Sequence, residues 1–257
     1  MSLLAIDLGN TNTVLGVYEG DRLVVHWRLT TRREQTADEY GVLIRNLFTA
    51  SGIEPASIDG VAFASVVPPL TPVLIDLCRG YLGQDPLVVD PGTSTDMPIL
   101  YEPPSDVGAD RIVNAVAALE AHGGPVIVVD FGTATTFDVV TARGEYLGGV
   151  ICPGVGISAD ALFQRAARLP RVDVRKPEQV VGRSTVGSIQ SGLYYGYCEM
   201  VEGLIHRIRR ELAEPAAVVA TGGLAQALAP DIPSIDAVEP VLTLTGLRLL
   251  WERNRSR

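Results

Sequence analysis

Apolar and polar positions along the chain fall into two rhythms. Short apolar runs bounded by turn residues read as buried strands at residues 3–6, 61–65, 87–89, 126–129 and 217–220. Segments 14–18 with 23–29, and 137–141 with 146–151, are joined by Glu19-Gly20-Asp21 and Ala142-Arg143-Gly144 and read as strand pairs. Apolar residues three and four apart mark helices. Tyr40, Leu43, Ile44, Leu47 and Phe48 share one face behind the capping box Thr36-Ala37-Asp38-Glu39, in a helix ending near Gly52. Leu70, Val73, Leu74, Leu77 and Cys78 form a second face after Pro68-Pro69. Ile112, Val113, Ala115, Val116 and Leu119 form a third, closed by Gly123-Gly124. A fourth helix follows Pro153-Gly154-Val155-Gly156 and carries Ala161, Leu162 and Ala166. Ser184-Thr185 caps a long helix with Ile189, Leu193, Tyr194, Tyr197, Val201, Leu204, Ile205 and Ile208 in register, while Gly187, Gly192 and Gly196 flatten one face. A short helix follows the 217–220 strand, and residues 241–251 form the last one.

One stretch occurs twice. Ala5-Ile6-Asp7-Leu8-Gly9-Asn10-Thr11-Asn12-Thr13-Val14 returns as Val129-Asp130-Phe131-Gly132-Thr133-Ala134-Thr135-Thr136-Phe137. Each copy follows a buried strand, puts Asp at its end and Gly two residues later, and opens a three-strand meander. A lone Asp-x-Gly is common, and two ordinary hairpins could share it by chance. Two copies with matching flanks predict internal duplication, in two mixed-sheet α/β domains with a cleft between them. The boundary is drawn between residues 1–117 and 118–257, with the last helix able to pack back on the first domain. The turn offers backbone N–H groups and hydroxyls to an anion beside a carboxylate. That carboxylate repels phosphates unless a cation lies between, so the pattern implies nucleotide with bound metal.

Charge and composition narrow the field. The 257 residues are 47% hydrophobic with a net charge of −9, and mean hydropathy is +0.23. The acidic balance argues against nucleic acid as a partner. No apolar run approaches the ~20 residues of a membrane span, and residues 3–6 are too short for a secretory leader. The expected place of action is the cytoplasm. Arg207, Arg209, Arg210, Arg253, Arg255 and Arg257 read as solvated helix faces. Cys78, Cys152 and Cys198 are odd in number and far apart, which indicates neither disulfides nor zinc. His26, His122 and His206 stand in no metal or triad spacing. The single lysine, Lys176, lies beside Pro177 in a charged stretch, 169–183, that reads as exposed loop. The phosphate loop Gly-x-x-x-x-Gly-Lys-Ser/Thr is therefore absent, and a nucleotide site must be built another way.

Two other places carry candidate chemistry. Residues 90–104 are irregular, with Pro91-Gly92, Pro98, Pro103 and Pro104, and long loops inside compact chains are usually functional or disordered. They lead into Gly108-Ala109-Asp110-Arg111 at a helix N-terminus, a natural anion position. Asp110 also reads as a plain first-turn helix stabiliser. Thr221-Gly222-Gly223 lets backbone approach a flat ligand such as a nucleoside, and reads equally as a plain strand-to-helix turn.

Together these residues resemble the actin, Hsp70 and sugar-kinase superfamily, with its duplicated actin-like (ribonuclease H-like) ATPase fold. Within it, the chain closely resembles the type III pantothenate kinases. The matching residues are Asp7-Leu8-Gly9-Asn10-Thr11, Tyr101 before Gly108-Ala109-Asp110-Arg111, Asp130-Phe131-Gly132-Thr133-Ala134-Thr135, Pro153-Gly154, Ala166-Ala167-Arg168-Leu169-Pro170, Ser184-Thr185 with Ser188-Ile189-Gln190-Ser191-Gly192, and Thr221-Gly222-Gly223. The resemblance implies ATP-dependent phosphorylation of pantothenate on its terminal hydroxyl, the first step to coenzyme A. It implies Mg2+ or a similar divalent ion with ATP, a monovalent cation (K+ or NH4+), and a homodimer. Asp110 would be catalytic. Asp7, Leu8, Gly9, Asn10, Thr11, Asn12, Thr13, Val14 and Thr133 would bind ATP. Tyr101, Gly108, Ala109, Asp110, Arg111 and Thr185 would bind pantothenate, and Asp130 the monovalent ion. A carboxylate at a helix N-terminus is expected to be a weak base, because the dipole favours its ionised form. Competing readings are another small-molecule kinase of the superfamily, a non-catalytic regulator descended from one, or an actin-like assembly protein.

Overall fold

The computed structural model describes residues 1–90, 93–166 and 168–255. Pro91, Gly92, Ala167 and Arg257, which figure in the sequence reading, lie outside the described residues. The chain divides into two compact units: Met1–Ala117 with Leu242–Arg257, and Ala118–Val241.

In the first unit, strands β1 (Ser2–Leu8), β2 (Asn12–Glu19) and β3 (Arg22–Thr30) form an antiparallel meander. β4 (Gly60–Ser65) and β5 (Leu87–Val88) add parallel strands, in the order β3-β2-β1-β4-β5. β1 is central and buried on both sides, which is why its sequence is an apolar run rather than an alternation. Helices α1 (Ala37–Ala50) and α2 (Thr71–Leu77) contribute Tyr40, Ile44, Phe48, Leu74 and Leu77 to a core with Leu4, Ile6, Leu8, Val61 and Phe63. The capping box of α1 is complete: Thr36 Oγ1 accepts from Glu39 N, and Glu39 Oε2 accepts from Thr36 N at 2.8 Å. The helix predicted after Pro68-Pro69 is broken into a 3-10 turn (Pro68–Leu70), α2 and a π-turn (Cys78–Leu82). It ends at Gly83 in the left-handed region, φ +64. The last helix, α7 (Leu242–Asn254), packs on β1, β2 and β4.

The second unit repeats this plan. β6 (Val126–Phe131), β7 (Ala134–Val140) and β8 (Tyr146–Pro153) form the meander, and β9 (Ala217–Thr221) and β10 (Ala237–Val238) add parallel strands, in the order β10-β9-β6-β7-β8. Read from the meander edge, both sheets run third, second, first, fourth, fifth. Ile127, Val129 and Phe131 pack with Tyr194, Cys198, Val201 and Ile205 of α5 (Thr185–Leu212). Ser184 is the N-cap of α5, its Oγ accepting from Gly187 N at 3.1 Å. The helix α3 (Ala109–His122) contains the division between the units, and α4 (Val155–Arg165) and α6 (Ala225–Leu228) complete the second.

Some expectations need revision. α4 buries only Val155; Leu162 and Phe163 of its apolar face are 39% and 46% exposed. Arg209 is half-buried and donates twice to the Ala216 carbonyl, at 2.8 and 3.2 Å. Arg253 donates to the Thr95 carbonyl at 2.8 Å, and Arg255 lies 4.8 Å over the Trp251 ring. These three arginines therefore serve packing and hydrogen bonding, a use that net charge alone does not reveal. Lys176 is paired with Asp231 at 2.7 Å. All three cysteines are free.

Candidate active site

The β1–β2 turn is built from residues 9–11. Gly9 N donates to the Asn12 carbonyl at 3.0 Å, and a Cβ on Gly9 would stand 2.9 Å from that oxygen. No side chain fits there without a shift. Asn10 and Thr11 are exposed at the tip, and Asp7 beside them is half-buried. Leu8 and Thr13 point inward, so only their backbone is available to a ligand. The end of β3 braces the turn. Thr31 Oγ1 donates to the Gly9 carbonyl at 2.7 Å, so it accepts from Thr13 Oγ1 at 2.9 Å. Thr31 N donates to the Thr11 carbonyl, and Arg33 Nη2 reaches Asn10 Oδ1 at 3.4 Å. Sequence reasoning missed Thr31 and Arg33. Their only signal was the polar run that ends an alternating strand.

The β6–β7 turn is shorter, Gly132 and Thr133 alone, both exposed. Its Thr133 carbonyl accepts from Gly154 N at 3.1 Å, and a Cβ on Gly154 would lie 2.7 Å from the Gly132 carbonyl. On the other side, Gly222 follows Asp130's neighbour on β9, Thr221. Gly222 has φ +93, and a Cβ there would overlap Asp130 Oδ1 and lie 2.7 Å from Phe131 N. The Thr-Gly-Gly turn thus packs its backbone against the Asp130 carboxylate.

Asp110 lies in the first turn of α3. Its Oδ1 accepts from Arg111 N at 2.8 Å, and Gly108 leaves the space that a Cβ would take 2.6 Å from that same oxygen. Burial raises the Asp110 pKa from its ordinary value; the Arg111 amide and guanidinium oppose this and do not overcome it. Desolvation, which the helix-dipole expectation left out, outweighs the backbone hydrogen bonds and the Arg111 charge and shifts Asp110 toward a stronger base. Arg111 is itself buried. Tyr101 is half-exposed, late in the irregular segment. Thr185, the first residue of α5, is exposed beside an open hollow of about 800 Å³ lined also by Leu162, Leu169, Arg183, Ser188 and Ile189. Among the described residues, no three His, Cys, Asp or Glu side chains group as metal ligands. None of the described helices is long and apolar enough to cross a membrane.

Comparison with known proteins follows the same lines. Solved structures share the fold: a conserved Baf-family protein from Campylobacter jejuni has TM-score 0.61 at 18% identity, covering 99% of this chain and 100% of that one. A polyphosphate/ATP-glucomannokinase from Arthrobacter sp. strain KM has TM-score 0.53 at 15% identity, covering 98% and 99%. At these identities the likeness shows the duplicated actin-like α/β fold alone. Sequence goes further. Type III pantothenate kinases from Anaeromyxobacter dehalogenans and Moorella thermoacetica are 59% and 54% identical, covering 98% of this chain in each case and 100% and 99% of the relatives. The family profile for type III pantothenate kinase matches residues 3–207, and the chain belongs to that family.

Proposed function

We propose that this protein transfers the γ-phosphoryl group of ATP to the terminal hydroxyl of pantothenate, giving 4'-phosphopantothenate, the first step of coenzyme A biosynthesis, in the cytoplasm. The observation that carries this reading is the 59% identity to a type III pantothenate kinase over 98% of the chain.

In such a transfer the protein chiefly positions reactants and offsets charge. The hydroxyl oxygen bonds to phosphorus, the bond from phosphorus to the departing ADP breaks, and the proton goes to Asp110. A raised pKa makes Asp110 a stronger base once ionised, so it accepts that proton earlier than an ordinary aspartate would. Arg111 offsets the pantothenate carboxylate, with Tyr101, Gly108, Ala109 and Thr185 completing its site. The phosphates of ATP are held by the turn from Asp7 to Val14, and by Thr133. Asp7, a carboxylate beside an exposed, donor-rich tip, would help hold Mg2+. That ion would supply charge neutralisation to the phosphates. Asp130, a single half-buried carboxylate, suits a monovalent ion, K+ or NH4+, that does not demand an octahedral shell.

A homodimer is supported by the second unit's surface. Ile151 on β8 is 61% exposed, and Leu147, Ile157, Leu162 and Phe163 are exposed with it. Gly192 and Gly196 on α5 have no atom within 4 Å of where a Cβ would be. Such a small-residue helix face beside exposed apolar side chains suits a second copy in an isologous contact.

A coupled assay of ADP release tests the function. Release is expected to require pantothenate and to rise with potassium. ADP formation indifferent to pantothenate, with another small hydroxyl compound as the better acceptor, would replace this substrate.

A further inference from the structure

Between β5 and α3 the regular structure of the described chain is one 3-10 turn, Pro104–Asp106, and a single β-bridge residue, Ile99. Irregular backbone retains about 1–2 kcal/mol of conformational entropy per residue unless something outside it holds it in place. This segment carries Tyr101 and leads through Gly108 into Ala109, Asp110 and Arg111 in the first turn of α3, so whatever holds it bears on the acceptor site.

Helix α7 touches the segment near its start and again just beyond its end. In the last turn, Asn254 Oδ1 accepts from Ser94 N at 3.3 Å. Asn254 Nδ2 donates to the Ser94 carbonyl at 2.9 Å and to the Leu250 carbonyl at 2.8 Å. One amide side chain thus satisfies both backbone groups of Ser94, as a neighbouring strand would. Next to it, Arg253 Nη1 donates to the Thr95 carbonyl at 2.8 Å. Thr95 closes a local turn in which its Oγ1 donates to the Met97 carbonyl and accepts from Met97 N, and Met97 is buried. At the other end, a Cβ on Gly246 would lie 2.9 Å from the Val113 carbonyl carbon, so α7 meets the α3 backbone directly. Thr243 Oγ1 donates to Asn114 Oδ1 at 2.8 Å, and Asn114 is buried. Val113 and Asn114 lie within a turn of Asp110 and Arg111.

The clamp is itself anchored. Leu244, Leu247 and Leu250 are fully buried, and the Trp251 ring occupies the space that a side chain at Gly60 of β4 would need.

We infer that Asn254 and Arg253 are positioning residues for the acceptor substrate, holding the segment that carries Tyr101 and leads into residues 108–111 in its binding shape. This rests on the reading that those residues bind pantothenate. The role differs from general stability in what it predicts: pantothenate binding suffers while ATP binding does not.

The test uses the full chain with Asn254→Ala, Arg253→Met and, as a check on the site itself, Arg111→Met. Loss of the Ser94 pairing is expected to raise KM for pantothenate about tenfold, in line with one or two lost hydrogen bonds, and to leave KM for ATP unchanged. Amides of residues 93–101 should exchange with solvent faster in Asn254→Ala, while those of β1 do not. Equal rises in both KM values, or faster exchange with no change in KM for pantothenate, would overturn the inference. An Arg111→Met protein with unaltered KM for pantothenate counts against the assigned site, and the Asn254→Ala split still decides the clamp. If Asn254→Ala does not fold, Arg253→Met decides by the same split.

Discussion

Asp7 and Asp130 are each the penultimate residue of the central strand of their own five-stranded sheet. Asp7 pairs with Val14 on the antiparallel side and Ala64 on the parallel side; Asp130 pairs with Thr136 and Thr221. Strand alternation turns both carboxylates away from the cores built on Leu4, Ile6 and Leu8, and on Ile127, Val129 and Phe131. Their surroundings differ. The residue after Ala64 is Ser65, whose hydroxyl accepts from Thr71 Oγ1 at 2.9 Å. The residue after Thr221 is Gly222, whose backbone lies against Asp130. The two sheets thus hold carboxylates at equivalent positions, and the adjoining parallel strand gives each a different neighbour.

Asp110→Asn is expected to lower kcat by at least ~100-fold, the low end for loss of a general base. It should also stabilise the fold. A carboxylate whose pKa is raised on folding favours the native state at low pH, and that contribution is lost as pH rises through the folded pKa. An uncharged amide avoids that loss, so the melting temperature at neutral pH should rise. The kcat/KM profile of the natural enzyme should climb with pH through a midpoint above the ordinary aspartate value. A folded Asp110→Asn protein with near-normal turnover would falsify the catalytic assignment.

Asp7→Asn and Thr11→Val should each raise KM for ATP far more than KM for pantothenate. Thr31→Val, which removes the brace on the Gly9 carbonyl, should do the same to a smaller degree. Steady-state kinetics with each substrate varied in turn measure this. A rise confined to pantothenate would mean that the two sites are exchanged.

Activity in sodium or choline buffer should be low and be restored by potassium or ammonium. Asp130→Ala should abolish that response. Gly222→Ala should abolish it too, because its Cβ would displace the Asp130 carboxylate. That variant should also lose on the order of 1–3 kcal/mol of stability, from a side chain forced to φ +93. Potassium titrations of the three proteins decide it, and full activity without either cation would remove the assignment.

The protein should sediment as a dimer with or without ligand. Phe163→Glu places a charge on the exposed apolar face of α4 and should shift the protein toward monomer while its circular dichroism is unchanged. A dimer of undiminished strength in Phe163→Glu would place the contact elsewhere.

Local chemistry made much of this protein legible in its sequence. The Thr36–Glu39 capping box and the Ser184 cap were readable because each joins a side chain to backbone three residues away. The two meanders were readable because apolar runs and turn residues repeat in the same order. The Gly108-Ala109-Asp110-Arg111 element was visible as residue types at a helix start. Burial and long-range contact were not visible. The dipole of α3 argued for an acidic Asp110, and only packing around it reversed the direction of its pKa. Helical spacing marked an apolar face on α4, but spacing does not say whether anything in the chain covers it. Arg253 read as part of a solvated helix face, and Asn254 lay beyond the predicted last helix with no signal of its own. Their bonds to Thr95 and Ser94 span 158 and 160 residues, and such pairings arise from the course of the folded backbone rather than from any local pattern in the sequence.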